Sequence, residues 1–483
     1  MVQGFGIFLV IVLLWPYFVL FSAVKHWDFS FFVQWAPYLL FTFKQAFWSS
    51  VISLVGGIFC ALGLLSLKEQ KKISFFEVVV FLPNFLPILF VIFAFLKISH
   101  WFHFSLYGIQ GIVFMHSILN MGLVGVFLFH RARVDLTLLS YQAALDGMPW
   151  IRFFYHGFLR FFLKDFLYLF LFVFTICWAS FSVPLILGEI HGSTMEVLIY
   201  QKIKQEGDLA QALSLSLLQM MILWSLYIAL SFLKKNLKSE GAFLTPILLP
   251  KRLFLIFPLG IVVLLGAAFI EALWSGLNAT SFSKEFFLYL LPPLSRSLVV
   301  SYGAGFFILC CLLIASMDLK GFLRKLLLAY ILPSGALLGV AWIFVFDSPL
   351  LGMIWGTGVT GLLFLFRLGG EGLLEKLKDQ VRRAQILGAT SYQIWRFIIL
   401  PQVLPFYGLL SGLGAVWALG DFAYSGLVSH TGQETVALIM ESLLLTYKWD
   451  LANVLIAVLL FLSVMVFLTF RGLGYVVARK LEY

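Results

Sequence analysis

The chain has 483 residues, of which 62% are hydrophobic and only 12% are charged. A water-soluble domain usually carries about 25% charged residues, so this composition excludes a soluble globular protein and predicts one embedded in lipid. The formal net charge is +10, but the basic residues lie in short loops between apolar runs. This pattern is typical of loops that anchor membrane spans, and no nucleic-acid partner is expected.

A transmembrane helix needs about 20 mostly apolar residues, and the sequence predicts twelve such spans. In the first half they cover 4–24, 45–67, 75–96, 107–130, 165–187 and 209–233. In the second half they cover 253–274, 297–317, 326–346, 350–366, 402–427 and 451–470. The first run lacks a basic amino-terminal region and a small-residue cleavage site, so we expect a retained helix and not a removed signal peptide.

Lysine and arginine predict the orientation of these spans. If both termini lie in the cytoplasm, 25 of the 33 basic residues fall in cytoplasmic segments. Cytoplasmic loops of membrane proteins carry an excess of lysine and arginine. The sequence therefore predicts a multi-pass protein with both termini inside.

The four cysteines, Cys60, Cys177, Cys310 and Cys311, all fall in apolar stretches and lack the spacing of metal ligands. They are predicted to be small core residues. We expect no disulfide framework, no metal site and no cofactor in this chain.

Two polar loops, after the fourth and tenth predicted spans, predict an internal repeat. The first loop reads Tyr141-Gln-Ala-Ala-Leu-Asp-Gly147 and the second reads Arg383-Ala-Gln-Ile-Leu-Gly388, so the two glycines are 241 residues apart. Further matches recur near this spacing, among them Trp178-Ala-Ser-Phe181 with Trp417-Ala-Leu-Gly-Asp-Phe422. We predict two repeats of six spans, over 1–240 and 241–483. An even number of spans makes the repeats parallel, and a pathway is expected between them.

In both loops small residues are followed by aromatic and basic ones. Small residues let backbones approach closely, and the glycine after them can end a helix. The pattern predicts a short helix, a turn and a second segment that returns to the membrane, near 141–160 and 382–401. Pro401 then fits the first turn of the eleventh span. Such an exposed elbow is suited to docking in a groove of another protein.

The two loops resemble the EAA loop of ATP-binding-cassette importer permeases, in which Glu-Ala-Ala precedes a glycine and, later, Leu-Pro. The second loop matches from Ala384 through Gly388 to Leu400-Pro401. The first keeps Ala143 and Gly147 but has Tyr141 at the glutamate position. With twelve spans and two such loops, the chain resembles the fused permeases of ferric-iron and thiamine importers.

This resemblance implies an all-α membrane fold similar to type I importer permeases, located in the bacterial inner membrane. It also implies two copies of a separate ATPase, one per loop, and a periplasmic or lipid-anchored substrate-binding protein. The positions assigned to ATPase coupling are Ala143, Ala144 and Gly147 in the first loop, and Ala384, Gly388, Ala389 and Pro401 in the second. The chain contains no Gly-x-x-x-x-Gly-Lys-Ser/Thr phosphate loop, so it is not expected to be an enzyme and ATP hydrolysis would come from the partner.

Candidate residues of the pathway or its gate follow the fifth and eleventh spans: Trp178, Ser180, Phe181, Trp417, Asp421 and Phe422. A carboxylate at membrane depth is a functional hypothesis by default, although Asp421 can also lie at the interface or cap a helix. The aromatic residues can stack on an aromatic solute, or they can belong to interfacial belts and core packing.

Two other classes of protein are kept as alternatives. A secondary transporter driven by an ion gradient would show several ionisable residues at mid-membrane and spans broken by glycine or proline. A membrane-embedded enzyme would cluster Asp, Glu or His at one membrane face. The sequence shows few charges within spans and no such cluster, so import by alternating access is favoured. The solute stays open among ferric iron, thiamine and another small molecule.

Overall fold

A computed structural model describes residues 32–67, 69–188, 193–233, 252–278, 284–318, 322–329, 335–346, 348–428, 433–446 and 448–481, with seven isolated positions before residue 23. The predicted first span, at 4–24, therefore lies almost entirely outside the described residues. The predicted boundary between the repeats, at 240/241, lies outside them as well.

The first half of the chain forms nine described α-helices. They are α1 (Phe32–Leu65), α2 (Gln70–Phe85), α3 (Ile88–Trp101), α4 (Gly108–Leu145), α5 (Trp150–Phe153), α6 (Leu163–Trp178), α7 (Ser182–Leu187), α8 (Met195–Gln201) and α9 (Leu209–Leu233). Two π-helical segments, Phe154–Leu159 and Lys202–Glu206, follow α5 and α8.

The second half begins with a 3₁₀ turn, Arg252–Leu255, and continues through twelve described helices. They are α10 (Ile256–Asn278), α11 (Lys284–Met317), α12 (Phe322–Ala329), α13 (Gly335–Val345), α14 (Pro349–Leu365), α15 (Glu371–Lys376), α16 (Lys378–Ile386), α17 (Ser391–Gln393), α18 (Leu400–Leu419), α19 (Ala423–Val428), α20 (Val436–Leu445) and α21 (Trp449–Leu481). Two further π segments, Phe366–Gly370 and Ile394–Ile399, precede α15 and α18.

Among the described residues, eight helices are long and apolar enough to cross a membrane, or up to ten if two bent pairs are each one span. These ten match ten of the twelve predicted spans. The other two predicted spans, 4–24 and 326–346, each include residues that are not described. The prediction of an all-α membrane protein is confirmed for the described residues. The physical reason for helices is that a chain in lipid must satisfy its backbone polar groups by itself.

The third predicted span, 75–96, is not one straight helix. It consists of α2 and α3, which meet at an angle of 94°. Leu86 lies at the break in an extended conformation, with φ −93° and ψ 148°. The cause is Pro87, because a proline ring disfavours the helical conformation of the residue before it.

Two other predicted spans end earlier than expected. The fifth was predicted over 165–187 but its helix ends at Trp178, and the eleventh was predicted over 402–427 but ends at Leu419. Each is followed by a short helix, α7 or α19, which begins after Ser180 or Asp421. Asp421 favours a new helix start, because its Oδ1 accepts the first N–H groups of α19, whereas no side chain caps α7.

The described elements recur in the same order in the two halves, and so do two hydrogen bonds. The backbone N–H of Met195, at the start of α8, donates to Thr42 Oγ1 of α1 at 2.9 Å. The backbone N–H of Val436, at the start of α20, donates to Ser297 Oγ of α11 at 2.9 Å. A polar side chain of α1 thus holds the start of α8, and a polar side chain of α11 holds the start of α20, as interhelical hydrogen bonds do in lipid.

The halves interlock through α10. This first helix of the second half packs against α2 and α3 of the first half. Lys97 on α3 forms an ion pair with Glu271 on α10, with 3.3 Å between Nζ and Oε1. Within each half, α1 packs on α4 and α6, and α11 packs on α14 and α18.

Candidate functional site

The turns at the two glycines have one and the same construction. Gly147 has φ +67° and Gly388 has φ +83°. The Gly147 N–H donates to Ala144 O at 3.1 Å, and the next N–H donates to Ala143 O at 2.9 Å. The first turn is therefore a Schellman motif, in which a left-handed residue ends a helix.

The second turn repeats these two bonds. Gly388 N–H donates to Gln385 O at 3.0 Å and Ala389 N–H donates to Ala384 O at 3.0 Å. We call the two turns, with the residues on either side, the first elbow (residues 141–160) and the second elbow (residues 382–401). The first differs from the prediction in one respect, because α4 runs unbroken into it and no separate short helix precedes the turn.

The elbows expose apolar side chains that the turns hold outward. Leu145 is 88% exposed, and Ile386, at the equivalent position 241 residues later, is 77% exposed. Gly147 and Gly388 are exposed themselves, whereas Ala143 is buried and Ala144, Ala384 and Ala389 are half-buried. Contiguous exposed apolar side chains mark interaction sites, and at the second elbow Leu387, beside Ile386, is 86% exposed as well.

The positive φ of Gly388 predicts how the protein responds to alanine at this position. A Cβ at Gly388 would meet no atom within 4 Å, and neither would one at Gly372, which lies in α15 and has no positive φ. We expect Gly388→Ala to lower the melting temperature, because alanine at positive φ costs about 1 kcal/mol. Gly372→Ala should leave the melting temperature unchanged or raise it.

Differential scanning fluorimetry of the two variants measures this difference directly. Equal melting temperatures for both variants would contradict the positive-φ requirement at Gly388.

Pro401 lies in the first turn of α18, as predicted, and α18 continues a longer helical rod. The rod runs from Ser391 to Leu419, and Thr390 begins it with a capping box formed with Gln393. The π segment Ile394–Ile399 ends two residues before the proline. Local π geometry is one way in which a membrane helix accommodates a residue that lacks a backbone N–H.

A cavity of about 540 Å³ lies between the two halves. The cavity walls are formed by the ends of α6 and α18 that lie away from the elbows, by the break between α2 and α3, and by parts of α8, α14 and α19. The polar and aromatic lining residues include Asn84, His116, Asn120, Tyr168, Ser180, Phe181, Glu196, Thr357, Thr360, Arg367, Trp417, Asp421 and Tyr424. The size suits a small organic molecule.

The break between α2 and α3 contributes directly to this cavity. Trp417 Nε1 of α18 donates to the backbone oxygen of Asn84 at 3.1 Å. Asn84 Nδ2 in turn donates to Leu119 O of α4 at 2.7 Å. The bend thus joins the two halves by a hydrogen bond, in keeping with the rule that broken membrane helices occur where they line a cavity.

Four of the six candidate pathway residues line the cavity: Ser180, Phe181, Trp417 and Asp421. The other two lie behind it. Trp178 is 2% exposed and packs against Phe174, with 5.5 Å between ring centroids. Phe422 is 1% exposed and lies against the Phe181 ring, with 6.2 Å between centroids.

Asp421 has a defined structural contact. Its Oδ1 accepts the N–H groups of Ala423 at 2.7 Å and of Tyr424 at 3.3 Å. The carboxylate therefore caps the start of α19 while it lines the cavity. Capping was one of the alternatives that the sequence left open for this residue.

Several lining residues were not among the predicted candidates, notably Glu196, Arg367 and Asn84. Glu196 is 1% exposed, and its Oε2 accepts a hydrogen bond from Gln219 Nε2 at 2.8 Å. Glu196 lies in the first turn of a seven-residue helix, which is too short for a pattern of hydrophobic periodicity in the sequence. A carboxylate between two apolar runs was the available clue.

Two curated proteins are similar to this chain. The thiamine transport system permease protein ThiP of Salmonella typhimurium is 28% identical over 198 residues, and ThiP of Escherichia coli is 27% identical over 198 residues. In both cases the match covers 37% of this chain and 36% of the relative, so it spans about a third of the relatives' length. No family model matches the chain, and no solved structure matches it significantly. These relatives confirm the resemblance to the permeases of thiamine importers.

Proposed function

We propose that this chain is the membrane permease of an importer powered by a separate ATP-binding-cassette ATPase, and that thiamine is its solute. The observation that carries the proposal is the pair of like-built elbows, which expose apolar side chains at equivalent positions 241 residues apart. Two equal docking surfaces on one chain fit two copies of the same motor protein. The names of the two similar proteins support the same conclusion.

The long helices provide the link between each elbow and the cavity. Helix α4 carries His116 and Asn120 in the cavity lining and ends at the first elbow. The rod Ser391–Leu419 starts at the second elbow and carries Trp417 to the cavity. A stiff helix transmits displacement along its axis, so movement of the docked ATPases would rock the cavity walls and expose the solute to each side in turn.

A contact between Phe181 and Phe422 suits a gate in this mechanism. The two residues are 241 positions apart, and each follows the far end of the helix that leaves an elbow. Equivalent residues of two repeats that touch each other lie at the axis relating the repeats. Their rings, 6.2 Å apart, would close the cavity on the side away from the ATPases.

We propose thiamine and not ferric iron as the solute because of the side chains that line the cavity. The lining offers the aromatic faces of Phe181, Trp417 and Tyr424, which suit an aromatic solute. Within the described ranges, no group of three His, Cys, Asp or Glu residues is placed to hold a metal ion.

The cavity is lined by the ionisable residues His116, Glu196, Arg367 and Asp421, and one span is broken at a proline, as an ion-driven transporter would also show. The ATP-driven function is preferred because the two similar proteins are permease proteins of thiamine transport systems.

The remaining features of the proposal follow from the family that the chain resembles. A periplasmic or lipid-anchored binding protein would deliver the solute, and the chain would lie in the bacterial inner membrane with both termini in the cytoplasm. The chain itself would perform no covalent chemistry and would hold no cofactor. ATP hydrolysis would belong to the partner subunits.

Reconstitution tests the proposal. The chain is placed in proteoliposomes with an ATP-binding-cassette ATPase and a thiamine-binding protein from the same genome, and ATP-dependent uptake of radiolabelled thiamine is measured. We expect uptake that requires all three components and ATP. Uptake that persists without the ATPase and collapses with the ion gradient would instead identify a secondary transporter.

A further inference from the structure

The helices that lead into the two elbows carry different charges. Residues 378–386 form α16 and include three basic residues and one acidic residue. The equivalent residues 241 positions earlier, 137–145 at the end of α4, contain no charged side chain. The two elbows therefore share a turn and an apolar tip, but they present different charges to whatever docks on them.

The arginines of α16 lie on its outer face, beside the apolar tip. The inner face of the helix packs against the core of the second half through Val381 and Ala384. Arg382 and Arg383 are exposed. They precede the exposed Ile386 by four and three residues, so all three side chains share one face of the helix. The tip of the second elbow is thus flanked by two guanidinium groups.

The two guanidinium groups are available to a partner. Neither Arg382 nor Arg383 takes part in an ion pair among the residues that the structure describes. The acidic residue of α16, Asp379, lies about one turn further from the tip. Gln402 Nε2 of α18 donates to Gln380 Oε1 of α16 at 2.8 Å, so the helix that carries the arginines is tied to the rod that leads to the cavity.

The first elbow has a neutral and acidic border around its tip. Tyr141, which is half-buried, and Gln142, which is exposed, stand at the positions of the two arginines. Asp146 is exposed and directly follows the apolar tip residue. The exposed arginines of this elbow, Arg152 and Arg160, lie beyond its turn. The charge difference is therefore located on the helix before the turn.

We propose that the second elbow fits a pocket whose rim carries carboxylate groups, and that it binds the ATPase more tightly than the first elbow does. The inference rests on the proposed function, since it takes both elbows as docking sites for one kind of ATPase. A guanidinium group forms paired hydrogen bonds with a carboxylate. At the first elbow the same acidic rim meets Asp146, and like charges across an interface repel each other.

An anionic lipid surface is the competing partner for the two arginines. It fits less well, because the apolar inner face of α16 is already packed against the protein. The first elbow also has the same kind of apolar tip with an acidic neighbour, which an anionic surface would repel. The difference between the elbows is thus better matched by two copies of one acidic-rimmed protein.

Binding of the ATPase to single-elbow variants tests the inference. The chain is placed in nanodiscs of zwitterionic lipid, and the probe is the ATP-binding-cassette ATPase used in the reconstitution. Leu145→Glu leaves only the second elbow and Ile386→Glu leaves only the first. At about 50 mM NaCl we expect the second elbow to bind about three- to tenfold more tightly, the effect of two exposed ion pairs. At about 500 mM NaCl the difference should nearly disappear, because salt screens exposed charges.

Exchange of the charged residues tests their role directly. In the Leu145→Glu chain, Arg382→Gln with Arg383→Gln should abolish the advantage and most of the salt dependence. In the Ile386→Glu chain, Tyr141→Arg with Gln142→Arg should create both. Both changes are read from dissociation constants at the two salt concentrations.

The matched control removes two positive charges outside the elbows. Lys71 and Lys72 are exposed at the start of α2, and Lys71→Gln with Lys72→Gln should leave both dissociation constants and their salt dependence unchanged. A change as large as that of the arginine variants would show that only the total charge matters and would overturn the inference.

Three other results would also overturn the inference. They are equal or reversed affinities of the two elbows at low salt, an advantage that needs anionic lipid, and an advantage that survives Arg382→Gln with Arg383→Gln. Absence of any ATPase binding would overturn both the inference and the proposed function. Charge-dependent binding without ATP-driven thiamine uptake would contradict the proposed function alone.

Discussion

Replacing Leu145 and Ile386 together by glutamate is expected to leave the chain in the membrane without any bound ATPase. Both side chains are more than three-quarters exposed, at 88% and 77%, so their replacement removes no core packing. A charge at the centre of an apolar docking surface costs about 2–4 kcal/mol or more at an energetic hot spot. That loss weakens each contact about 30-fold to 1,000-fold.

The single variants make the experiment quantitative. Leu145→Glu or Ile386→Glu alone should leave one elbow intact, so the complex should retain one ATPase copy where the unmodified chain retains two. ATP-driven uptake should be lost in both cases, because two ATPases must close on each other. Native mass spectrometry gives the stoichiometry, and uptake into proteoliposomes gives the activity.

Methionine at the same two positions is the matched control, because it keeps an apolar side chain of similar volume. Leu145→Met and Ile386→Met should recover two ATPase copies and support near-normal uptake. Recovery of two copies by the double glutamate variant would refute the docking role of the elbows.

Cross-linking position 181 to position 422 is the second prediction with a large expected effect. The rings of Phe181 and Phe422 lie 6.2 Å apart, within reach of a short bifunctional thiol reagent once both are cysteines. If this contact is the gate on the side away from the ATPases, the linked protein cannot open there. Uptake should fall to background and return when a reducible linker is cleaved.

The design needs a background without the four native cysteines, three of which are buried. Phe181→Cys and Phe422→Cys as single variants, treated with the same reagent, should keep most of their uptake because nothing joins the two halves. Wild-type uptake by the cross-linked double variant would show that the path does not pass between these residues.

The predicted fold was correct wherever one local rule decided it. Apolar runs of about 20 residues become helices in lipid because the backbone has no other partner there. A continuous run of apolar residues does not indicate a bend that a single residue introduces within it. Pro87 bends the third predicted span by 94°, and its effect on Leu86 could have been predicted from the sequence.

The candidate site was predicted only in part, for a different reason. Asp421 is a candidate because a carboxylate at membrane depth indicates function, and Ser180, Phe181 and Trp417 belong to segments that recur near the repeat spacing. All four line the cavity. Glu196 has no counterpart in the second half, so the repeat could not reveal it. Its place in the cavity lining depends on the packing of α8 against α13, a long-range contact that leaves no local pattern.

The sequence by itself determined that the chain lies in lipid, that it forms helices there, and where the two turns occur. Composition placed the chain in lipid, and Gly147 and Gly388 specified both elbows, because a left-handed residue that ends a helix is a local property of a few neighbouring residues. Only the tertiary structure decided which side chains share the cavity and which lie behind it. Apolar helices in lipid are almost interchangeable in composition, so their neighbours are selected by close packing and a few interhelical hydrogen bonds, such as the one from Trp417 to Asn84.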